Sequence, residues 1–430
     1  MLALIPETKG HTLQEIKSNI MTSRQRILAA IDHQPTDRVP VDFGAHRSSG
    51  IMAIAYRKLR EHLGLPRKPI RVYDMIQQLA VIDEDVLQRF EVDAIEMGRG
   101  FCQDERSWKP WQLPDGSDCV IPAWVDVRKE GHDWIIYSPS GKPMALQAAG
   151  SLYFEQIYWP YLDGVPDDLS DLRVRMQDVS WSLPTPPPPG TNLESGARVL
   201  RASTDRAIVA LFGGNLLEWG QILCRNDMFF MLLAGDPRRA HRLLDQLVEI
   251  HLSNLETFLG AVGQHIDIIL FGDDLGMQTG PQISPRMYRE FFFPRQRIMW
   301  QRVKQLADVK IMLHCCGGVR PLLDDLILAG LDTINPVQIT CTGMDPMMLK
   351  QDFGSRLCFW GGGCDTRSVL PRATPGEVRR HVLDQLRILA QGSGFVFQQV
   401  HNIMADVPPE NIVAMFDTVR EFGAEFTAGG

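Results

Sequence analysis

An imidazole and a thiol stand two residues apart in the stretch Val309-Lys-Ile-Met-Leu-His-Cys-Cys-Gly-Gly318. Its first half reads as a β-strand, with apolar or β-branched residues alternating with others between Asp308 and a Gly-Gly pair. Side chains alternate faces along a strand, so His314 and Cys316 are expected on one face and Cys315 on the other. An imidazole and a thiolate so placed are zinc ligands, and zinc takes three or four from the protein. The competing reading is a core strand whose cysteines pack as small hydrophobes and whose histidine is hydrogen-bonded. The choice between them depends on whether the rest of the chain supplies further ligands.

Two residues are candidates. Cys364 follows Gly361-Gly-Gly363, a run that lets backbone approach a site closely, and His401 ends the last predicted strand. His314, Cys316, Cys364 and His401 together would make a Cys2His2 set, but a catalytic zinc keeps one position open. Cys364 and His401 therefore compete for the third place. Asp273 and Asp274 could orient a ligand imidazole, bind substrate or supply a metal oxygen, and Asp42 and Glu96 have the same options. Arg47 suits a substrate carboxylate. The catalytic candidates are Asp273, Asp274, Arg47 and Glu96. The corrinoid-ligand pattern Asp-x-His-x-x-Gly is absent from the sequence, so the chain is not expected to carry its own cobalamin.

These residues converge only if the elements carrying them form one mouth. Strand patterns begin near residues 39, 92, 207, 266, 309, 331, 357 and 395, and helical periods fall between them. Eight strands in βα alternation predict a (β/α)8 TIM-type barrel, whose chemistry sits at the C-terminal ends of the strands. No Gly-x-Gly-x-x-Gly turn supports an open nucleotide-binding sheet. Residues 51–63 and 73–90 read as helical, and 215–233 as a helix after the third strand. Trp, Tyr and Pro crowd residues 101–190, where Asp115-Gly116 and Ser140-Gly141 separate alternating runs, predicting an antiparallel β-rich insertion between strands two and three. Pro184-Thr-Pro-Pro-Pro-Pro-Gly190 closes it as a stiff loop. The expected organisation is a loose arm over 1–21 and a single barrel domain over 22–430.

Composition fits a soluble enzyme. The chain has 430 residues, 44% apolar and 22% charged, and its net charge of -8 argues against a nucleic-acid partner. No basic run suggests an anionic membrane, and no apolar run approaches the ~20 residues of a membrane span. The N-terminus lacks the apolar core of a signal peptide. Eight cysteines without a disulfide-like framework suit a reducing cytoplasm.

Four segments carry a family resemblance: Arg26-Ile-Leu-Ala-Ala-Ile-Asp-His-Gln-Pro-Thr-Asp-Arg-Val-Pro-Val-Asp-Phe-Gly44, Phe271-Gly-Asp-Asp-Leu-Gly-Met-Gln-Thr-Gly-Pro-Gln-Ile-Ser-Pro285, His314-Cys-Cys-Gly317 and His401-Asn-Ile-Met-Ala-Asp-Val-Pro-Pro-Glu-Asn411. With them the chain resembles the uroporphyrinogen decarboxylase superfamily, which includes the cobalamin-dependent methyltransferases. The methyltransferase branch has a His-x-Cys pair on a barrel strand, here His314 and Cys316, and a later Cys before a Pro-x-Glu-Asn helix start. That later position falls on His401, a departure that leaves the third ligand open. Porphyrinogen decarboxylases have an Asp after the second strand to hold the pyrrole NH groups, where this chain has Gly98-Arg-Gly100. They also lack the His-x-Cys pair, so tetrapyrrole decarboxylation is disfavoured.

The resemblance implies zinc-dependent methyl transfer between a small methylated substrate or thiol and cobalamin carried by a separate corrinoid protein. That protein would dock at the barrel mouth, with the insertion at 101–165 shaping the pocket. The alternative is a metal-free decarboxylase or lyase of a small acid, with Arg47 gripping carboxylate and His401 as general acid. A non-catalytic corrinoid- or tetrapyrrole-binding module is the third reading.

Overall fold

Alternation along the strands divides the core of the barrel into an inner and an outer layer. The computed structural model describes residues 21–180 and 191–427. The arm expected over 1–21, apart from Met21, and the Pro-rich stretch 184–190 lie outside the described residues. The barrel strands are β1 (Ala94–Glu96), β2 (Ala207–Gly213), β3 (Ile268–Gly272), β4 (Lys310–His314), β5 (Thr333–Asn335), β6 (Cys358–Trp360) and β7 (Phe395–Val396). They form one seven-stranded parallel sheet in chain order. Val209, Ile268, Leu270, Met312, Trp360 and Val396 meet inside it, while Ile208, Ala210, Ile269, Phe271, Ile311, Leu313, Ile334 and Phe359 join the outer core under the helices. Those helices include Pro237–Val262, Phe293–Leu306, Leu323–Ala329, Pro375–Leu389 and Pro409–Phe422.

The eighth position is filled by the extended residues around Val41. Val41 bridges Phe397 in parallel, with Asp42 N donating to Phe397 O (2.9 Å) and Phe397 N to Pro40 O (2.8 Å). On its other side Asp93 N donates to Val41 O (2.7 Å). This closes the ring between β7 and β1, and the expected (β/α)8 architecture stands.

Buried ion pairs fix the N-terminal end of the barrel. Helix Ser23–Ile31, started by a Thr22/Gln25 capping box, sends Ile27, Ala30 and Ile31 into the inner layer as a plug. Arg26 and Arg38 clasp Asp93 just before β1 (2.6 and 2.7 Å), and Arg201 clasps Asp267 just before β3 (2.8 Å). Each carboxylate also accepts a barrel amide: Val41 N on Asp93 (2.9 Å) and Ile208 N on Asp267 (2.8 Å).

Two helix expectations are corrected. Within 73–90 the structure has strands Ile70–Asp74 and Leu79–Ala80, and only Glu84–Arg89 is helical. Ile70–Asp74 pairs in parallel with Asp118–Pro122, so a distant partner overrides the local period. Residues 215–233 form two helices, Leu217–Cys224 and Asn226–Gly235, broken at Arg225 where φ is +74°. The insertion is antiparallel as expected: Trp108–Gln112 pairs with Asp118–Pro122, and Asp126–Glu130, Asp133–Tyr137, Pro143–Gln147 and Glu155–Gln156 form a second sheet. Among the described residues no helix is long and apolar enough to cross a membrane.

The plug yields the first prediction. Asp93→Ala leaves Arg26 with Asp37 as its remaining acid and removes the acceptor for Arg26 Nη1, Arg38 and Val41 N, a change expected to cost about 3–5 kcal/mol. Asp93→Asn, which keeps an acceptor oxygen, loses less. Urea unfolding of the two variants beside wild type measures the order.

Candidate metal centre

The inner layer dictates which residues reach the mouth. Lys310, Met312 and His314 share one face of β4, so His314 follows Met312 inward and Cys315 turns into the outer core. Cys316 lies just beyond the strand, and its Sγ is 3.5 Å from His314 Nε2. His401 arrives from the segment after β7. Its ring centroid lies 5.9 Å from that of His314, and one ligand atom from each of His314, Cys316 and His401 falls within 4.8 Å of the others. All three line a cavity of about 380 Å³ together with Arg47, Asp274, Glu218 and Trp219.

The Cys316 loop is held by its backbone. Cys316 N donates to Asp274 Oδ1 (2.8 Å), and Gly317 N to Gln338 Oε1 (2.6 Å). Gly317 has φ +89°, and a Cβ there would sit 2.3 Å from the carbonyl carbon of Gly276, so only glycine lets these two loops touch.

Asn335 sets the tautomer of His314. Its Nδ2 donates to Trp360 O (2.9 Å) and Gln398 Oε1 (2.8 Å), which fixes Oδ1 as the end facing the histidine. Oδ1 lies 3.1 Å from His314 Nδ1 and also accepts from Ser48 Oγ (2.5 Å). Nδ1 must therefore carry the proton, and Nε2 offers a lone pair toward Cys316. Ser48 Oγ stands 3.0 Å from His46 Nδ1, and His46 Nε2 stands 3.1 Å from Asp42 Oδ2, so the polar chain continues back to the closing segment.

Electrostatics suit a cation. Burial lowers His314, and it lowers His401 to about 4 with His314 adding to the effect, so both imidazoles are neutral at pH 7. Burial, with Asp274 nearby, pushes the Cys316 thiol well above the usual range. Two neutral imidazoles and a thiol fit zinc: Zn–N of about 2.0–2.1 Å and Zn–S of about 2.3 Å put tetrahedral ligand atoms about 3.5 Å apart. The His314–Cys316 separation already has that value.

The other candidates divide. Asp274 faces the cavity, 3.6 Å from His314 Nε2. Asp273 lies behind the wall, accepting from the amides of Leu216, Leu217 and Glu218 (3.2, 3.1 and 3.0 Å) at the start of helix Leu217–Cys224. Burial pushes it up to about 7 despite those three amides. Arg47 lines the cavity with Nε 2.9 Å from Asp74 Oδ2, and its Nη2 has no partner among the described residues. Glu96 is not brought to this cavity; it lines a separate one of about 260 Å³, where burial pushes it up to about 7.

Cys364 is also left out. A Cβ on Gly363 would sit 2.3 Å from the Phe397 ring, and Cys364 turns into the outer apolar core, where burial pushes its thiol far up. Of the two candidates for the third position, the structure brings His401 and not Cys364 beside His314 and Cys316. The insertion at 101–165 supplies no lining of the cavity that holds His314, Cys316 and His401; Cys102, Gln103 and Trp108 line the other one.

Glu218 escapes the reading of the sequence. Its Oε2 accepts from Asn215 Nδ2 (2.5 Å) and Asp274 N (3.2 Å). Burial, then Asp274 and Asp273, push the carboxyl up to about 8. The signal lay in Gly213-Gly-Asn-Leu-Leu-Glu218, the end of the third strand, where a carboxyl at a helix start passes for a capping residue.

Comparison with known proteins follows this geometry. Residues 225–422 match the family model described as uroporphyrinogen decarboxylase (URO-D). A uroporphyrinogen decarboxylase of Legionella pneumophila (strain Corby) is 24% identical over 414 residues, covering 93% of this chain and 97% of the relative. One from Pseudomonas fluorescens is 26% identical over 288 residues, covering 64% and 74%. Among solved structures, a methyltransferase from Methanosarcina mazei superposes with a TM-score of 0.55 at 17% identity, covering 94% of this chain and 99% of that one. At that identity the likeness speaks for the fold alone. The stretch that matches the family model runs from Arg225 through the mouth residues of β3 to β7 and on to the closing helix.

Proposed function

We propose that this protein is a zinc-dependent methyltransferase that moves a methyl group between a small substrate and the cobalt of cobalamin on a separate corrinoid protein. The observation that carries the reading is the His314, Cys316 and His401 cluster, three ligand atoms of the right chemistry on one cavity wall. Three protein ligands leave one coordination position for substrate. The name of the Methanosarcina mazei neighbour, a methyltransferase on the same fold, agrees with it. We place the protein in the cytoplasm, whose reducing conditions suit its free cysteines.

Bound zinc would act as a Lewis acid on the oxygen, nitrogen or sulfur of the substrate. The chain's own residues supply the rest. Asn335 holds the proton on His314 Nδ1 so that Nε2 faces the cavity. Glu218, with Oε2 anchored by two donors, holds its proton at Oε1 for the atom that loses the methyl group. Arg47 Nη2 is placed to grip an anionic group, and Asp274 keeps the Cys316 loop in register.

The competing reading is metal-free decarboxylation, which the names of the sequence relatives favour. It needs His401 as an acid, yet burial keeps that imidazole neutral down to about 4. Arg47 is also half engaged with Asp74.

Metal analysis of the purified protein should find one zinc per chain, lost in Cys316→Ser and His401→Ala but retained in Cys364→Ser. Zinc-free wild type, or activity that survives chelation and needs no corrinoid, would overturn the reading. Adding zinc to the apoprotein at pH 7 should release about one proton, because only the Cys316 thiol must ionise. Cys316→Ser should release none, as a pH-indicator titration can show. Asn335→Ala is expected to weaken zinc binding about 10–100-fold, measured by competition with a chromophoric chelator. Glu218→Gln should keep zinc while slowing demethylation of methylated donors by Co(I) corrinoid about 10²–10⁴-fold. Its residual rate should lose the fall that wild type shows as pH rises through about 8, since the ionised carboxylate has no proton to give.

A further inference from the structure

A second cavity, of about 260 Å³, lies on the other side of the Arg47–Asp74 ion pair. Strand Ile70–Asp74 forms part of the partition. Its alternation turns Asp74 toward Arg47 and Arg71 and Tyr73 the other way, where both line the second cavity. The opposite walls are the end of β1 with Glu96, the turn that follows with Arg99, and Trp108 from the insertion.

The charges on these walls do not cancel internally. Lys68 is paired with Asp83 (2.7 Å), and Glu84 with Arg206 (2.9 Å). Arg71 and Arg99 have no ion-pair partner among the described residues. The Arg71 guanidinium carbon stands 5.5 Å from the Trp108 ring centroid, and Arg99 donates Nη1 to Ile82 O. Burial weakens the hold of Arg99 on its charge, as expected for a guanidinium drawn from water without a counter-ion. Glu96 is the remaining acid, and burial pushes it up to about 7, so near neutrality it offsets one guanidinium only in part. Two forked donors with unused N–H groups, an indole face and a carboxyl able to donate or accept make a particular recognition surface. A planar carboxylate matches the guanidinium fork bidentately, and a flat apolar body matches Trp108 and Tyr73.

We propose that this second cavity is a binding site for a small aromatic or similarly flat carboxylate, held through Arg71 and Arg99 and packed on Trp108. The site is separate from the zinc cluster, and the proposal does not depend on methyl transfer. Inorganic phosphate offers charge without a flat body, and a neutral aromatic alcohol offers the body without charge, so the two probes separate the contributions.

Isothermal titration calorimetry on the full chain with benzoate, benzyl alcohol and phosphate tests this. Benzoate is expected to bind once per chain, and more tightly than either other probe. Arg71→Ala or Arg71→Gln should weaken benzoate at least about tenfold, the scale of a lost charge-assisted hydrogen bond. Arg99→Gln should do the same, and Trp108→Leu should reduce the preference for benzoate over phosphate. His314→Ala should leave benzoate binding unchanged. Thermal melts identify any variant that fails to fold, and the two Arg71 replacements keep the test open if Arg99→Gln does. Absence of saturable benzoate binding, or phosphate binding as tightly as benzoate, would overturn the proposal. So would benzoate binding lost in His314→Ala and kept in the Arg71 variants, because that pattern puts the probe among the zinc ligands.

Discussion

Closure of the barrel rests on the backbone of three residues, Pro40 to Asp42. Val41 has its N–H bound to the Asp93 carboxylate and its C=O to the Asp93 amide, while Phe397 is reached from the other edge. Asp93 can serve that purpose because Arg26 and Arg38 hold its charge where water cannot. If the seam opened, β7 would become a free edge, and the segment carrying His401 would have no reason to pass within ligand distance of β4. A salt-bridge cluster at the N-terminal end of the strands thus governs how His314, Cys316 and His401 meet at the C-terminal end. The division between stability at one face and chemistry at the other is the usual logic of this architecture.

At the mouth, a second constraint acts through neutral groups. Asn335 accepts at one end and donates at the other, and both donor contacts go to neighbours on the strand-end ring. Its orientation is therefore dictated by the barrel, and the His314 tautomer is dictated by Asn335. The acidic residues are graded by depth in a related way. Asp274 faces the cavity, Glu218 is pushed toward its neutral form, and Asp273 serves a helix end. A carboxyl that favours its proton beside the His314, Cys316 and His401 cluster gives the mouth a proton store.

Much of this was legible in the sequence because periodicity carries it. The period of two placed His314 and Cys316 together and Cys315 apart, and counting eight strands brought His401 across the ring. The same period separates Asp273 from Asp274, though the adjacent acids invite reading as a pair. Cys364 was not legible, because its direction depends on the Phe397 ring crowding Gly363, a contact between residues far apart in the chain. Residues 73–90 look helical by spacing, yet their first part falls into strands Ile70–Asp74 and Leu79–Ala80, the former because Asp118–Pro122 offers it a partner. Glu218 was hidden by resembling an ordinary helix-start carboxylate, and its raised affinity for a proton comes first from its burial and then from Asp274 and Asp273 beside it.

The contact between Gly276 and Gly317 carries a further consequence. Main chain lies against main chain there, and Gly318 N donates to Met277 O (2.8 Å), so backbone contact reinforces the tie that Asp274 makes between the loops after β3 and β4. An event that tightens the Cys316 loop is thus transmitted to residues 274–277 through main chain as well as through the Asp274 carboxylate. The exchange of those amides with solvent becomes a clock for the state of the thiol, readable in a protein that has never met its substrate.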